Sequence, residues 1–128
     1  MADNVRAVIY NDKSEFLILT EQDDPDNWKL PGGKLSADED PTAGILRELE
    51  EELGLTSSQI NTKDLKFSKL TTDDGLSNRY IFKVSASEEG LKPNKTEIAK
   101  LKWCNLGLIP DCQNKNHITT AVESVASL

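Results

Sequence analysis

Between Arg47 and Leu53 the chain reads Arg-Glu-Leu-Glu-Glu-Glu-Leu, a density of carboxylates that invites a chemical reading. In a helix turning about 100° per residue, with Glu48 set at zero, Glu52 falls at about +40° and Glu51 at about −60°. Leu46, Leu49 and Leu53 then cluster between about 100° and 160°. Three carboxylates share one stripe and three leucines another, which faces the core and sets Glu48, Glu51 and Glu52 beside a sheet rather than beneath it. Glu50, at about 200°, points to solvent. Carboxylates three and four residues apart repel by on the order of 0.2 to 0.5 kcal/mol per pair. Hard divalent ions such as magnesium or manganese take all-oxygen ligation and would turn that repulsion into binding energy. The plainer account of such a stripe is a solvated acidic face.

A helix must carry this stripe, and its ends are marked. Asp40 is placed to cap it, Pro41 occupies the favoured first-turn position, and Gly54 stops it, which predicts a helix over Pro41 to Leu53. Upstream, Val5 to Tyr10 and Phe16 to Thr20 read as a strand hairpin, Glu21 to Asn27 as a loop, and Trp28-Lys29-Leu30 as an extended entry to the turn Pro31-Gly32-Gly33. Downstream, Leu65 to Leu70, Arg79 to Ser85 and Ile98 to Cys104 read as strands, and Asn116 to Ala126 as a closing helix with Ile118, Val122 and Val125 on one face. Interposing a helix among well-separated strands predicts one α/β domain over residues 1–128, a mixed sheet with helices packed on it.

Composition narrows the function. A chain of 128 residues with 37% hydrophobic and 29% charged positions suits a single soluble core. Apolar runs such as Phe16 to Leu19 are far short of the roughly 20 residues that span a bilayer, so no membrane partner is expected. Met1-Ala2-Asp3-Asn4 lacks the basic and then apolar pattern of a secretory signal, and the cytoplasm is the expected location. Cys104 and Cys112 are read as two reduced thiols. A net charge of −7 argues against a general nucleic-acid binder, because phosphate backbones are bound by basic patches. An acidic protein binds phosphates when metal ions sit between.

The stretch Gly33 through Glu39, seven residues on to Arg47-Glu48-Leu49, then Glu51-Glu52-Leu53-Gly54-Leu55, resembles the Nudix box, Gly-x5-Glu-x7-Arg-Glu-U-x-Glu-Glu-x-Gly-U with U aliphatic. Every fixed position matches, and the lead-in Trp28-Lys29-Leu30-Pro31-Gly32-Gly33-Lys34 is similar to the family's approach to the box. The resemblance is to small, MutT-like members, and it implies an α/β/α sandwich. It also implies hydrolysis of a nucleoside diphosphate linked to a group X, with Mg2+ or Mn2+ binding the pyrophosphate and activating water.

Carried over by motif position, Glu48, Glu51 and Glu52 are the implied metal ligands, with the Gly32 carbonyl as an extra ligand and Glu39 contributing through water. Arg47 resembles the family arginine that orients a box glutamate. The general base is implied to be either Glu48 or Glu97, the latter in Lys95-Thr96-Glu97-Ile98, with the other serving as ligand or orienter. Lys34, Arg79 and Glu39 are the candidate substrate contacts, although Arg79 beside Tyr80 also fits an ordinary exposed arginine. Trp28 and Trp103 read as core or lip residues. His117 reads as a cap or surface group, in a region that borders the substrate pocket in the family.

Leu70, Thr71 and Thr72 show neither the proline of ADP-ribose hydrolases nor the tyrosine of dinucleoside polyphosphate hydrolases. The short chain favours a nucleoside triphosphate pyrophosphohydrolase acting on a small-molecule nucleotide. The alternative is a catalytically silent Nudix-fold module that binds a nucleotide or nucleotide sugar. A decapping-type enzyme acting on RNA 5′ ends is disfavoured by the acidic balance. Either a monomer or a homodimer is compatible with the sequence.

Overall fold

The first strand sorts its side chains by parity, and that sorting organises the molecule. In the computed structural model, which describes residues 3–60 and 62–128, strand β1 runs Asn4–Tyr10. Met1 and Ala2, the start of the tetrapeptide read above for a secretory signal, lie outside the described residues. Val5, Ala7 and Ile9 enter one core and Val8 enters another, as the two-residue period of a strand requires. Asn4 and Arg6 share the parity of Val8 and so belong to the second face.

Strand β2 (Phe16–Glu21) pairs antiparallel with β1 only at Tyr10–Phe16, after which the two strands part. Strand β3 (Asp24–Lys29) follows β2, and the three-residue β4 (Gly32–Lys34) lies on β1, so β3 and β4 fill the opening between the parted strands. Glu21 to Asn27, expected as a loop, is thus largely strand. The segment DPDNWK pairs with β2 at Leu19–Lys29 and Glu21–Asp24 across a register shift, and among the described residues no further strand pairs with it. A sheet edge tolerates Pro25, which has no N–H to donate.

Helix α1 (Pro41–Leu53) matches its expected span. The Asp40 carboxylate accepts from Thr42 N at 3.0 Å and Ala43 N at 3.4 Å, and Gly54 closes the other end. Strands β5 (Lys66–Thr71), β6 (Asn78–Ser85) and β7 (Ile98–Cys104) complete a mixed sheet in which β6 is parallel to β1, β5 antiparallel to β6, and β7 antiparallel to β2. Helix α2 (Lys115–Val125) closes the described chain.

The two cores lie on opposite faces of this sheet. Ile45, Leu49 and Leu53 of α1 pack on Val5, Leu19 and Phe82, whereas Ile118, Val122 and Val125 of α2 pack on Val8, Ile18 and Ile81. This is the α/β/α sandwich. Trp103 packs against the first core and Trp28 against the second, and both cysteines are free thiols. Among the described residues no helix is long and apolar enough to cross a membrane.

Candidate active site

The fork between β1 and β2 brings the Pro31-Gly32-Gly33 turn against α1. Gly32 has φ of +141°, and a Cβ there would lie 2.0 Å from the Val5 carbonyl oxygen, so only glycine fits. Its N–H donates to Glu52 Oε1 at 2.8 Å. Beside it, a Cβ on Gly33 would meet Glu48 Oε1 at 2.6 Å, so the bare backbone lets the Glu48 carboxylate lie directly on the turn. Glycine is required at Gly32 by its positive φ and the Val5 backbone, whereas a side chain at Gly33 would displace the Glu48 carboxylate.

Glu52 is only 5% exposed, and it alone of the three stripe carboxylates is buried. Its angular position lies about 100° from Leu53, and the Gly32 N–H satisfies one of its oxygens, so it can turn inward. Burial pushes its carboxyl up to about 7, with the Gly32 hydrogen bond pulling down and the charge of Glu48 adding to the rise. Glu48 is raised by partial burial, with Arg47 opposing. Glu51 is exposed, and so is Glu50, as expected.

Arg47 ties these elements together. Its Nε donates to Glu39 Oε2 and its Nη2 to Glu39 Oε1, both at 2.9 Å, a bidentate pair. Its Nη1 donates to Glu48 Oε1 at 3.0 Å and to Glu51 Oε2 at 3.4 Å, and Nη2 also reaches the Lys34 carbonyl at 3.2 Å. The pairing holds Glu39 down to about 2, helped by the Ser36 N–H. One guanidinium therefore fixes β4, the loop before α1, and the helix itself.

Glu48, Glu51 and Glu52 line an open cleft of about 480 Å³ together with Gly32, Gly33 and Glu97. The loop before β7 delivers Glu97: its N–H donates to the Asn94 carbonyl at 3.0 Å, and its carbonyl accepts from Gln22 N at 2.8 Å. Glu21 and Asp23 also line the cleft and were not singled out from the sequence. Their signal was position, since the polar turn after the apolar run of β2 faces the loop that carries Glu97. Arg6 was missed as well. It lies on β1 within the influence of Glu52, Glu21 and Glu48, and donates through Nη1 to the Leu30 carbonyl at 3.1 Å.

The donor set suits a hard divalent cation, being carboxylate and backbone oxygen throughout, with a buried Glu52 whose ionised form lacks a full complement of positive charge. Among the described residues no three acidic, histidine or cysteine side chains form a ready-made cage. Arg47 is the cation that Glu48 and Glu51 face here, and it draws both toward itself.

The remaining sequence candidates separate. Glu39 sits behind Arg47 and outside the residues lining the cleft, and exposed Lys34 touches the site through its main-chain carbonyl. Arg79 lies elsewhere. It is half-buried, not an ordinary exposed arginine, and lines a cavity on the α2 face with Arg6, Lys29 and His117. His117 does not cap α2, whose cap position is Asn114, and is instead the exposed surface group that was the other expectation. Leu70, Thr71 and Thr72 border an adjoining groove.

The likeness to known proteins agrees with this geometry. Over 61 residues the chain is 39% identical to an RNA pyrophosphohydrolase of Acidiphilium cryptum (strain JF-5), an alignment covering 44% of this chain and 37% of that protein. Over 60 residues it is 42% identical to a dihydroneopterin triphosphate diphosphatase of Haemophilus influenzae, covering 46% and 38%. The chain thus spans well under half the length of these curated relatives. Its fold matches a C. elegans Ap4A hydrolase, solved as a binary complex, with a TM-score of 0.71, 21% identity and coverage of 98% of this chain and 96% of that one. The NUDIX domain family matches residues 1–123, and the chain, with its complete box folded around one acidic cleft, belongs to the Nudix family.

Proposed function

We propose that residues 1–128 form one Nudix domain that hydrolyses a nucleoside triphosphate to the monophosphate and pyrophosphate, in a reaction dependent on Mg2+ or Mn2+. The observation that carries this reading is the convergence of Glu48, Glu51, Glu52 and Glu97 on one open cleft floored by Gly32 and Gly33. In a chain of net charge −7, polyphosphate is repelled from such a cleft unless cations are bound there.

Glu48, Glu51 and Glu52 would hold the ion, with the Gly32 carbonyl beside them. A bound divalent ion supplies charge neutralisation for the phosphate oxygens and lowers the pKa of water. Arg47 positions Glu48 and Glu51, and its bidentate grip on Glu39 keeps it from following a departing carboxylate. Glu97 is assigned the role of general base. It is exposed in the cleft on a pinned backbone, whereas Glu48 is held against Arg47 and Gly33.

The test is a hydrolysis panel with Mg2+: ordinary and oxidised nucleoside triphosphates, ADP-ribose, nucleotide sugars, dinucleoside polyphosphates and 5′-triphosphorylated RNA, with Glu52→Gln as the blank. Turnover of the triphosphates that disappears in the variant supports the proposal. Preference for the RNA is the second reading, favoured by the relative whose name gives that substrate. No turnover, with Mg2+ still raising the melting temperature, would replace the enzyme with a nucleotide-binding module.

A further inference from the structure

Glu97 reaches the cleft on a turn that is tied down at both ends, and the two ties differ in kind. The near end is held by main chain. Helix α1 leaves its last carbonyls without partners of its own, and the chain approaching β7 supplies them: Lys92 N–H donates to the Leu53 carbonyl at 2.7 Å and Asn94 N–H to the Glu52 carbonyl at 2.9 Å. Pro93, which has no N–H, falls between the two donors. Asn94 then closes the turn on itself. Its carbonyl accepts from Glu97 N at 3.0 Å and Ile98 N at 2.8 Å, and its side-chain oxygen accepts from Thr96 N at 3.1 Å and Thr96 Oγ1 at 2.7 Å.

The far end is held by a residue from another strand. Gln22 directly follows the last residue of β2. Its Nε2 donates to the carbonyls of Lys95 and Ile98, both at 3.1 Å, and its main-chain N–H donates to the Glu97 carbonyl at 2.8 Å. These three acceptors enclose Glu97. Both side-chain amide hydrogens go to carbonyls, which sets the amide's orientation, because turning it over would bring its oxygen against two others. Gln22 also lines the cleft, between Glu21 and Asp23.

We propose that Gln22 is a positioning residue for Glu97, setting where that carboxylate stands relative to the glutamates of α1. The inference rests on the reading of Glu97 as the general base. A base must lie within hydrogen-bond reach of the proton it takes, and a displacement of about 1 Å costs up to about 10²-fold in rate. The turn from Asn94 to Ile98 closes through its own bonds, so without the Gln22 side chain it still forms but is less firmly joined to β2. Stability and the metal ligands are then little changed while the base moves. A glutamine suits the place. An asparagine is shorter by a methylene, and a lysine would donate to the same carbonyls but set a positive charge among the carboxylates assigned to the ion.

The test replaces Gln22 with methionine, which keeps the stem and removes the donors, in an exposed turn of the full chain. Amide hydrogen exchange, without metal or substrate, should quicken about fivefold or more at Glu97 and Ile98, as for loss of neutral hydrogen bonds, while the Asn94 N–H held by α1 keeps its rate. Unchanged exchange overturns the proposal, and so does equal quickening at all three amides, which would mark general loosening. With the triphosphate turned over fastest in the panel, Gln22→Met should lower kcat about tenfold, leaving KM and the Mg2+-induced rise in melting temperature at wild-type values. Added to Glu97→Gln, it should cost nothing further, because the group it positions is already gone. An equal loss in both backgrounds, or no loss in the wild type, overturns the proposal. Wild-type kcat in Glu97→Gln removes the base reading and this inference with it, an outcome distinct from failure of the exchange measurement, which needs no turnover.

Discussion

Arg47 and Arg79 are the same residue in opposite settings. Arg47 donates to three carboxylates and a carbonyl, and every contact reinforces a fixed geometry. Arg79 stands half-buried in a cavity that has other cations and no acid. The first arginine is structural glue whose neighbours are excess negative charge. The second is an unmatched donor. One side of the β1–β2 fork is an acidic cleft, and the α2 side is lined by cations and amides.

The largest effect that tests this division is at the acidic cleft. Glu97→Gln should lower kcat by about 10²- to 10⁴-fold, the range for removing a general base, while leaving the Mg2+-induced rise in melting temperature intact. Glu52→Gln should lower both. Equal retention of the metal effect in the two variants would dissolve the distinction between base and ligand.

A smaller effect contrasts the arginines directly. Arg47→Lys keeps the charge but loses the bidentate grip on Glu39, and activity should fall about 10- to 100-fold, as for outer partners of a metal site. Arg79→Lys should leave the metal-free melting temperature within error, since no ion pair is lost. A matching drop in both would show that Arg79 is glue as well.

pH sharpens the picture further. The folded chain keeps the Glu52 proton up to about pH 7, while the unfolded chain releases it near the ordinary value of 4.5. Across that window the unfolded state binds fewer protons, so stability present below pH 4.5 is lost as pH rises through 7. Metal-free melts from pH 5 to 8 should show a declining melting temperature, a flatter profile in Glu52→Gln, and recovery on adding Mg2+ at pH 8. A rising profile in the wild type would contradict the burial of Glu52.

The smallest effect is a control outside both sites. Asp40→Ala removes the cap of α1 and should cost about 1 kcal/mol in denaturant unfolding, with the pattern of substrates unchanged.

The helix over Pro41–Leu53 and the strand over Ile98–Cys104 were legible because capping residues, glycine stops and apolar periodicity are local signals. The strand over Asp24–Lys29 was not, because DPDNWK has loop composition and its partner is supplied by β2. Within the site, spacing in the Nudix box marked Glu48, Glu51 and Glu52 together. It did not show that Glu52 is buried, which depends on a hydrogen bond to Gly32 twenty residues earlier. Glu97 was singled out as the outside carboxylate and does line the cleft, whereas Glu21 and Asp23 carried no motif.

By itself, then, the sequence determined the family, the helix that carries the carboxylates, and the excess of acid. These follow from residue type and spacing along one element. Only the tertiary structure decided that Arg47 is saturated and Arg79 is not, and that Arg6 shares the α2-face cavity with Arg79. Charge environment depends on which distant strands meet at the fork, and pairings such as Val5 with Tyr80 or Phe16 with Cys104 leave no trace in local spacing.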